Sequence, residues 1–176
     1  STSWLFATAT SLIVYLLGRR FFDKTTGMIA GCMAASFAGN VVNAVDMRLD
    51  SSVTLATVCA AYAAIRGVQD KKPVWLLAIG VAAGLGGMVK PVAVLHVYVV
   101  SALALACFNP RWLWHRYYLL SAPLAASILA PWHLAVMARG GDEFTDAYVR
   151  VEMASRITLG AHIFSVAQHT LLVEAL

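Results

Sequence analysis

Uncharged stretches of helix-spanning length follow one another along this chain, separated by short charged segments. No Asp, Glu, Lys or Arg occurs between Ser1 and Gly18, Thr25 and Val45, Pro73 and Val89, Pro91 and Pro110, or Tyr117 and Ala138. Each run approaches the ~20 residues that carry a helix across hydrocarbon. A shorter run, Ser51 to Ile65, predicts a further crossing, and the last, Ile157 to Val173, is interrupted by His162 and His169. The expected fold class is all-α: a polytopic membrane helical bundle of about six to seven transmembrane helices.

Within two runs the small residues recur at helical spacing. Gly27, Gly31, Ala35 and Gly39 make one face, and Gly80, Gly84 and Met88 a shorter one with Gly86 and Gly87 beside it. Such faces let helices approach closely in lipid. Gly84-Leu-Gly86-Gly87 is read as packing, because it lacks the strand–helix context and terminal Lys-Ser/Thr of a nucleotide loop. Trp75, Trp112, Trp114, Tyr117 and Tyr118 sit near run ends as interfacial anchors.

Composition removes the soluble alternative. The 176 residues are 60% hydrophobic and 12% charged, and mean hydropathy is +0.74, whereas a soluble domain is about a quarter charged. The chain begins at Ser1 without a signal-peptide pattern and stops inside the apolar Leu171-Leu-Val173. Residues 1–176 are therefore expected to be a partial transmembrane domain of a longer protein. Cys32, Cys59 and Cys107 stand singly and read as small buried hydrophobes. The five histidines show no zinc-type pairing. No cofactor is specified, and a divalent metal ion is left open.

The charges sort by side. Arg19, Arg20 and Lys24, then Arg66, Lys71 and Lys72, then Arg111 and Arg116 fall on one side, eight of the thirteen Lys and Arg. The positive-inside rule makes that side cytoplasmic. The net charge of +4 thus follows membrane topology, and no nucleic-acid partner is expected. The other side, the outer one, holds Asp46, Arg48 and Asp50, Lys90, and the charges from Arg139 to Arg156.

Charge at the edge of a span is expensive and usually has a task. Asp46 and Asp50, four apart, share a face if helical. Asp50 precedes Ser51-Ser52 and can cap the helix there, but a cap needs one acid, and here two bracket Arg48. Lys90 either compensates the dipole of the preceding helix or binds an anion in an outer cavity. Pro91 suits the first turn of the next helix. Phe144, Tyr148, Val151 and Ser155 form one stripe, predicting a turn at Asp142 or Glu143 and an amphipathic outer-surface helix over 140–156. Within it Glu152 and Arg156 are spaced for an i,i+4 pair.

The order of these segments resembles a known family. Leu17-Gly-Arg-Arg-Phe21 precedes the Gly/Ala-rich run. Then come Met47-Arg48-Leu49-Asp50, Tyr62-Ala-Ala-Ile-Arg66, Trp75-Leu-Leu-Ala-Ile-Gly-Val-Ala-Ala-Gly-Leu85 and Val89-Lys90-Pro91-Val92. Ala130-Pro131-Trp132-His133 and Val149-Arg-Val-Glu152-Met-Ala-Ser-Arg156 follow. The pattern resembles the polyprenyl-phosphate-dependent GT-C glycosyltransferases, in particular the branch of protein O-mannosyltransferases and lipid A aminoarabinose transferases. It departs from that pattern at Val89-Lys90-Pro91, which lacks the Gly of the usual Thr-Lys-Gly-Pro, and at His133 and Ile157, where aromatics are usual. The family's first outer loop, with its catalytic acid, would precede Ser1.

The resemblance implies a transferase moving a sugar from a polyprenyl-phosphate donor to a lipid or protein acceptor. The reaction would run at the outer face of a multi-pass protein in a bacterial inner or plasma membrane, among membrane lipids. Asp50 and Asp46 are the candidate catalytic acids; Arg48, Lys90, Glu152 and Arg156 are the candidate substrate and phosphate contacts. The competing readings are a membrane transporter and a non-catalytic membrane subunit. Transporter sites usually lie mid-membrane within repeated halves, and this chain shows neither a mid-span charge nor a repeat.

Overall fold

The computed structural model describes the backbone of residues 2–45 and 50–147, and side chains over 3–41 and 50–140. Among the described residues all regular structure is helical. The helices are α1 (Thr2–Phe21), α2 (Lys24–Ser36), α3 (Ala38–Val45), α4 (Asp50–Gln69), α5 (Leu77–Val89), α6 (Ala93–Phe108) and α7 (Arg116–Ala147). Single 3-10 turns, Pro73–Leu76 and Pro110–Trp114, lead into α5 and α7. Two helical stretches, Asp50–Gln69 and Arg116–Gly140, are long and apolar enough to cross a membrane; Pro73–Val89 and Ala93–Phe108 are apolar but shorter.

The chain divides into two compact units, Ser1–Pro131 and Trp132–Leu176. In the first, α4 is central and packs against α1, α5 and α6. Its core is mostly alanine: Ala56, Ala60, Ala63, Ala64, Ala82 and Ala83 with Leu76, Ile79, Val97 and Leu105. The large apolar side chains point the other way, with Leu5, Phe22, Met33, Leu95 and Leu103 exposed. Small residues inside and large ones outside is the arrangement that suits lipid rather than water. In the second unit the described residues are helical, and Gly140-Gly141 continue α7 to Ala147 without the expected turn. The remainder of the 140–156 segment lies outside the described residues, as does the run from Ile157.

The glycine faces are refined. Gly27 and Gly31 pack against α1, where an added Cβ would fall 2.6 Å from the Arg19 nitrogen and 2.9 Å from the Tyr15 Cβ. Gly39 does not extend that face, because it meets only the ring of Phe37. The helix breaks at Phe37, which adopts φ −61 and ψ 124. Across the break the Asn40 amide donates to the Ala34 carbonyl at 2.8 Å. On α5 the face against α7 is Gly80, Gly84 and Gly87, meeting Ser121, Ile128 and Leu129. Met88 is exposed, so the stripe follows Gly87 and not Met88.

Two further ties hold the first unit. Tyr98 and Ser121 share a hydroxyl bond of 3.1 Å between α6 and α7, and Ser121 donates to the Tyr118 carbonyl at 2.6 Å. Tyr118 therefore turns its hydroxyl inward, toward Ser101, while Trp114 stays exposed as an anchor would. At the other tie, α4 ends in a Schellman closure: the N–H of Lys72 donates to Gly67 and that of Lys71 to Val68. This puts Lys71 at φ 54, a conformation that disfavours any residue with a Cβ. Lys71→Gly is expected to raise stability by about 1 kcal/mol, seen as a higher melting temperature in detergent; no change, or a fall, would show that the lysine side chain compensates for the strain.

Candidate functional site

The helix ends gather the charges at two poles. Arg20 donates to Gln69 at 2.6 Å and pairs with Asp70, while Arg66 reaches the same carboxylate at 3.2 Å. The rings of Phe21 and Phe108 lie 5.2 Å apart. The loops at 19–24, 66–72 and 108–116 therefore meet at one end, as the charge sorting required. Asp23 starts α2 there by accepting the Thr26 N–H at 2.6 Å, a bond that lowers its carboxyl below the usual range.

Asp70 is held below the usual 3.8: partial desolvation raises it, but the hydrogen bonds and charges of Arg20 and Arg66 outweigh that. A carboxyl with a depressed folded pKa stabilises the fold above its ordinary pKa and loses that contribution as pH falls through the depressed value. Asp70→Asn is accordingly expected to melt lower than the parent at neutral pH, with the gap closing below about pH 4. A gap that stays constant down to pH 2 would exclude charge as its cause.

At the other end of the 20-residue α4, ~30 Å away, Lys90 Nζ donates to Asp50 Oδ1. Asp50 is the first residue of α4 and Lys90 the cap of α5, its N–H donating to Gly86 at 3.0 Å. Pro91 lies in the turn that leads into α6, with Ala93 N–H on the Lys90 carbonyl at 2.8 Å. Each charge also suits its own helix dipole, so the structural and functional readings of both residues coexist. Stability alone gives this pair little to do. With 43% of the Asp50 and 30% of the Lys90 side chain exposed, such a pair contributes at most ~1 kcal/mol. The exposure leaves both groups open to a ligand.

Two features here were not foreseen. Ser51, 2% exposed, buries a hydroxyl oxygen with no hydrogen-bond partner among the described residues. An apolar cleft of about 560 Å³ runs between α4 and α5, lined by Ser52, Leu55, Cys59, Ala78, Val81, Leu85 and Val89, with Phe6 of α1. It extends ~16 Å along α5 from Ala78 to Val89, and its upper end, at Ser52 and Val89, adjoins Asp50 and Lys90. The Ser51-Ser52 step after Asp50 is the only trace of this in the sequence. The cleft walls come from helices some thirty residues apart, which no single-helix periodicity joins.

Of the candidate residues, Asp50 and Lys90 are brought together. Asp46, Arg48, Glu152 and Arg156 lie outside the described residues. No group of three or more His, Cys, Asp or Glu gathers as metal ligands among the described residues.

A family model described as dolichyl-phosphate-mannose-protein mannosyltransferase matches residues 2–134. The matched segment includes Asp50, Lys90 and every residue of the cleft, and stops before Glu152 and Arg156. No match was found among curated proteins, nor among solved structures. Because the match takes in about three quarters of the 176 residues, the chain belongs to the dolichyl-phosphate-mannose-protein mannosyltransferase family, whose members are integral membrane proteins.

Proposed function

We propose that this chain carries the sugar-transfer site of a polyprenyl-phosphate-dependent glycosyltransferase that crosses its membrane six or more times and works at the outer face. The observation that carries the reading is the placing of Asp50 and Lys90 at the mouth of an apolar cleft, at the pole opposite the basic loops. A polyprenyl-phosphate sugar needs a cation for its phosphate, an apolar groove for its chain and a carboxylate for its acceptor. In this reading Lys90 takes the donor phosphate, which draws the ammonium from Asp50. The freed carboxylate then accepts the proton of an acceptor hydroxyl as that oxygen bonds to the anomeric carbon. The bond from the anomeric carbon to the phosphate oxygen breaks, and the polyprenyl phosphate leaves with the pair of electrons, steadied by Lys90 and, from the resemblance, by Arg48 and Arg156. Asp46 would assist the acceptor, and Glu152 would contact it or support Arg156. The 140–156 segment would lie on the outer surface beside this mouth.

The test is sugar transfer by the full-length protein from a labelled polyprenyl-phosphate sugar, with lipid and protein fractions analysed for the product. Absence of transfer to either fraction rejects the reading. The topology is tested separately by impermeant thiol labelling of single cysteines at 50 and 90 in a background lacking Cys32, Cys59 and Cys107. Both positions are expected to react from outside, and reaction from opposite sides rejects the site.

A further inference from the structure

At the basic pole, away from the proposed transfer site, a polar cavity of about 280 Å³ is lined by Leu16, Arg19, Arg20 and Tyr62. Behind it Arg66 donates to the Tyr62 hydroxyl at 3.3 Å and lies over the Trp75 ring at 4.1 Å, which fixes both side chains. Arg20 is fixed by Gln69 and Asp70. Arg19 is exposed and has no ion-pair partner among the described residues. The charge balance is one-sided. Arg19, Arg20, Lys24, Arg66, Lys71 and Lys72 stand at this pole against two carboxylates, Asp23 and Asp70, and the C-terminal ends of α1 and α4, worth about −0.5 each. The pole therefore keeps a net positive charge.

We infer that this cavity is a binding site for a phosphate group, held by Arg19 and Arg20 with the Tyr62 hydroxyl as a third donor. Guanidinium groups match phosphate oxygens in geometry as well as in charge. Here one of them is already oriented by protein partners, so little side-chain freedom is lost when the anion enters. Leu16 forms an apolar wall beside the charged one, and Phe21 and Phe22 expose apolar surface at the same helix end. That combination suits the phosphate of an anionic lipid headgroup, although free phosphate offers the same oxygens.

The experiment is thermal unfolding of the full-length protein in nonionic detergent with added dioctanoyl phosphatidic acid, dioctanoyl phosphatidylcholine or inorganic phosphate. Phosphatidic acid at ten times its Kd is expected to raise the melting temperature by about 3–6 °C, with phosphatidylcholine having no such effect. A rise with phosphatidic acid alone identifies a lipid headgroup, and an equal rise with inorganic phosphate identifies the free anion; either supports the site. Arg19→Gln leaves the Arg20–Asp70 pair in place and is expected to weaken binding about tenfold without moving the ligand-free melting temperature. Tyr62→Phe, which keeps the ring, is expected to weaken it several-fold. Arg111→Gln removes the same charge from a neighbouring loop outside the cavity and is expected to leave binding unchanged. The inference is overturned if neither phosphatidic acid nor phosphate shifts the transition. It is equally overturned if phosphatidylcholine acts as strongly, or if Arg111→Gln weakens binding as much as Arg19→Gln.

Discussion

Asp50→Asn is expected to lower sugar transfer by about 10²–10⁴-fold, the usual contribution of a positioned general base, while leaving the melting temperature within a few degrees of the parent. The amide keeps the shape of the carboxylate and an oxygen for the first turn of α4, and loses only the charge and the ability to take a proton. The ion pair with Lys90 is too exposed for its loss to unfold the bundle. Lys90→Met is expected to cut transfer by about 10²-fold or more, mainly through poorer donor use, and to leave Asp50 without its ammonium. If the two residues act on one transition state, the double variant should lose little beyond the worse single one. Normal transfer by Asp50→Asn would falsify the catalytic role and leave Asp50 a helix-end charge. Loss of folding in both variants would instead make the pair structural, and the transferase reading would then rest on family membership alone.

The largest effect on stability is expected at Gly80. A Cβ there would overlap the Ser121 carbonyl oxygen and stand 2.9 Å from the Ser121 Cα. Both are backbone atoms, so α5 and α7 must part for any side chain to fit. Gly80→Val is expected to cost about 3 kcal/mol or more, read as a loss of folded protein or a sharp fall in melting temperature. Gly67 is the internal control. The nearest neighbours of its added Cβ are at 3.5 Å and beyond, in ordinary contact. Gly67→Ala in α4 is therefore expected to stabilise by about 0.5–1 kcal/mol through helix propensity. A tolerated Gly80→Val would mean that α5 and α7 do not meet as closely as their glycines allow.

The helices and the two charged poles were legible because each obeys a rule that acts along one segment. Uncharged length marks a helix, and basic loops mark one end. Asp50 and Lys90 were assigned to one pole from that alternation, and they pair there. What was missed involves two segments at once. The break at Phe37 carries no proline, and its glycine, Gly39, lies two residues beyond it, so the run from Thr25 to Val45 read as continuous. Met88 fits the four-residue spacing after Gly84, yet Gly87 faces the partner helix, because which residue turns inward depends on where α7 runs. Tyr118 counted as a surface anchor, since nothing in its neighbourhood along the chain shows that Ser101 and Ser121 face its end of α7. The stripe from Phe144 suggested a turn at Asp142 or Glu143, but the helix continues through both to Ala147.

The joint at Phe37 has a mechanical side. Ala34's carbonyl is met by the amide of Asn40 rather than by the backbone N–H that an unbroken helix would supply. A carbonyl left unmet away from water costs about 1–3 kcal/mol, and here the Asn40 side chain takes the place of the missing N–H. A side-chain tether follows small rotations that a run of backbone bonds resists. Beyond it α3 is a stiff arm of eight residues, ~12 Å long, and it ends at the residue before Asp46. A swing of about 10° at Phe37 would carry the tip of that arm about 2 Å. That is the difference between a hydrogen bond and none at the end of α3.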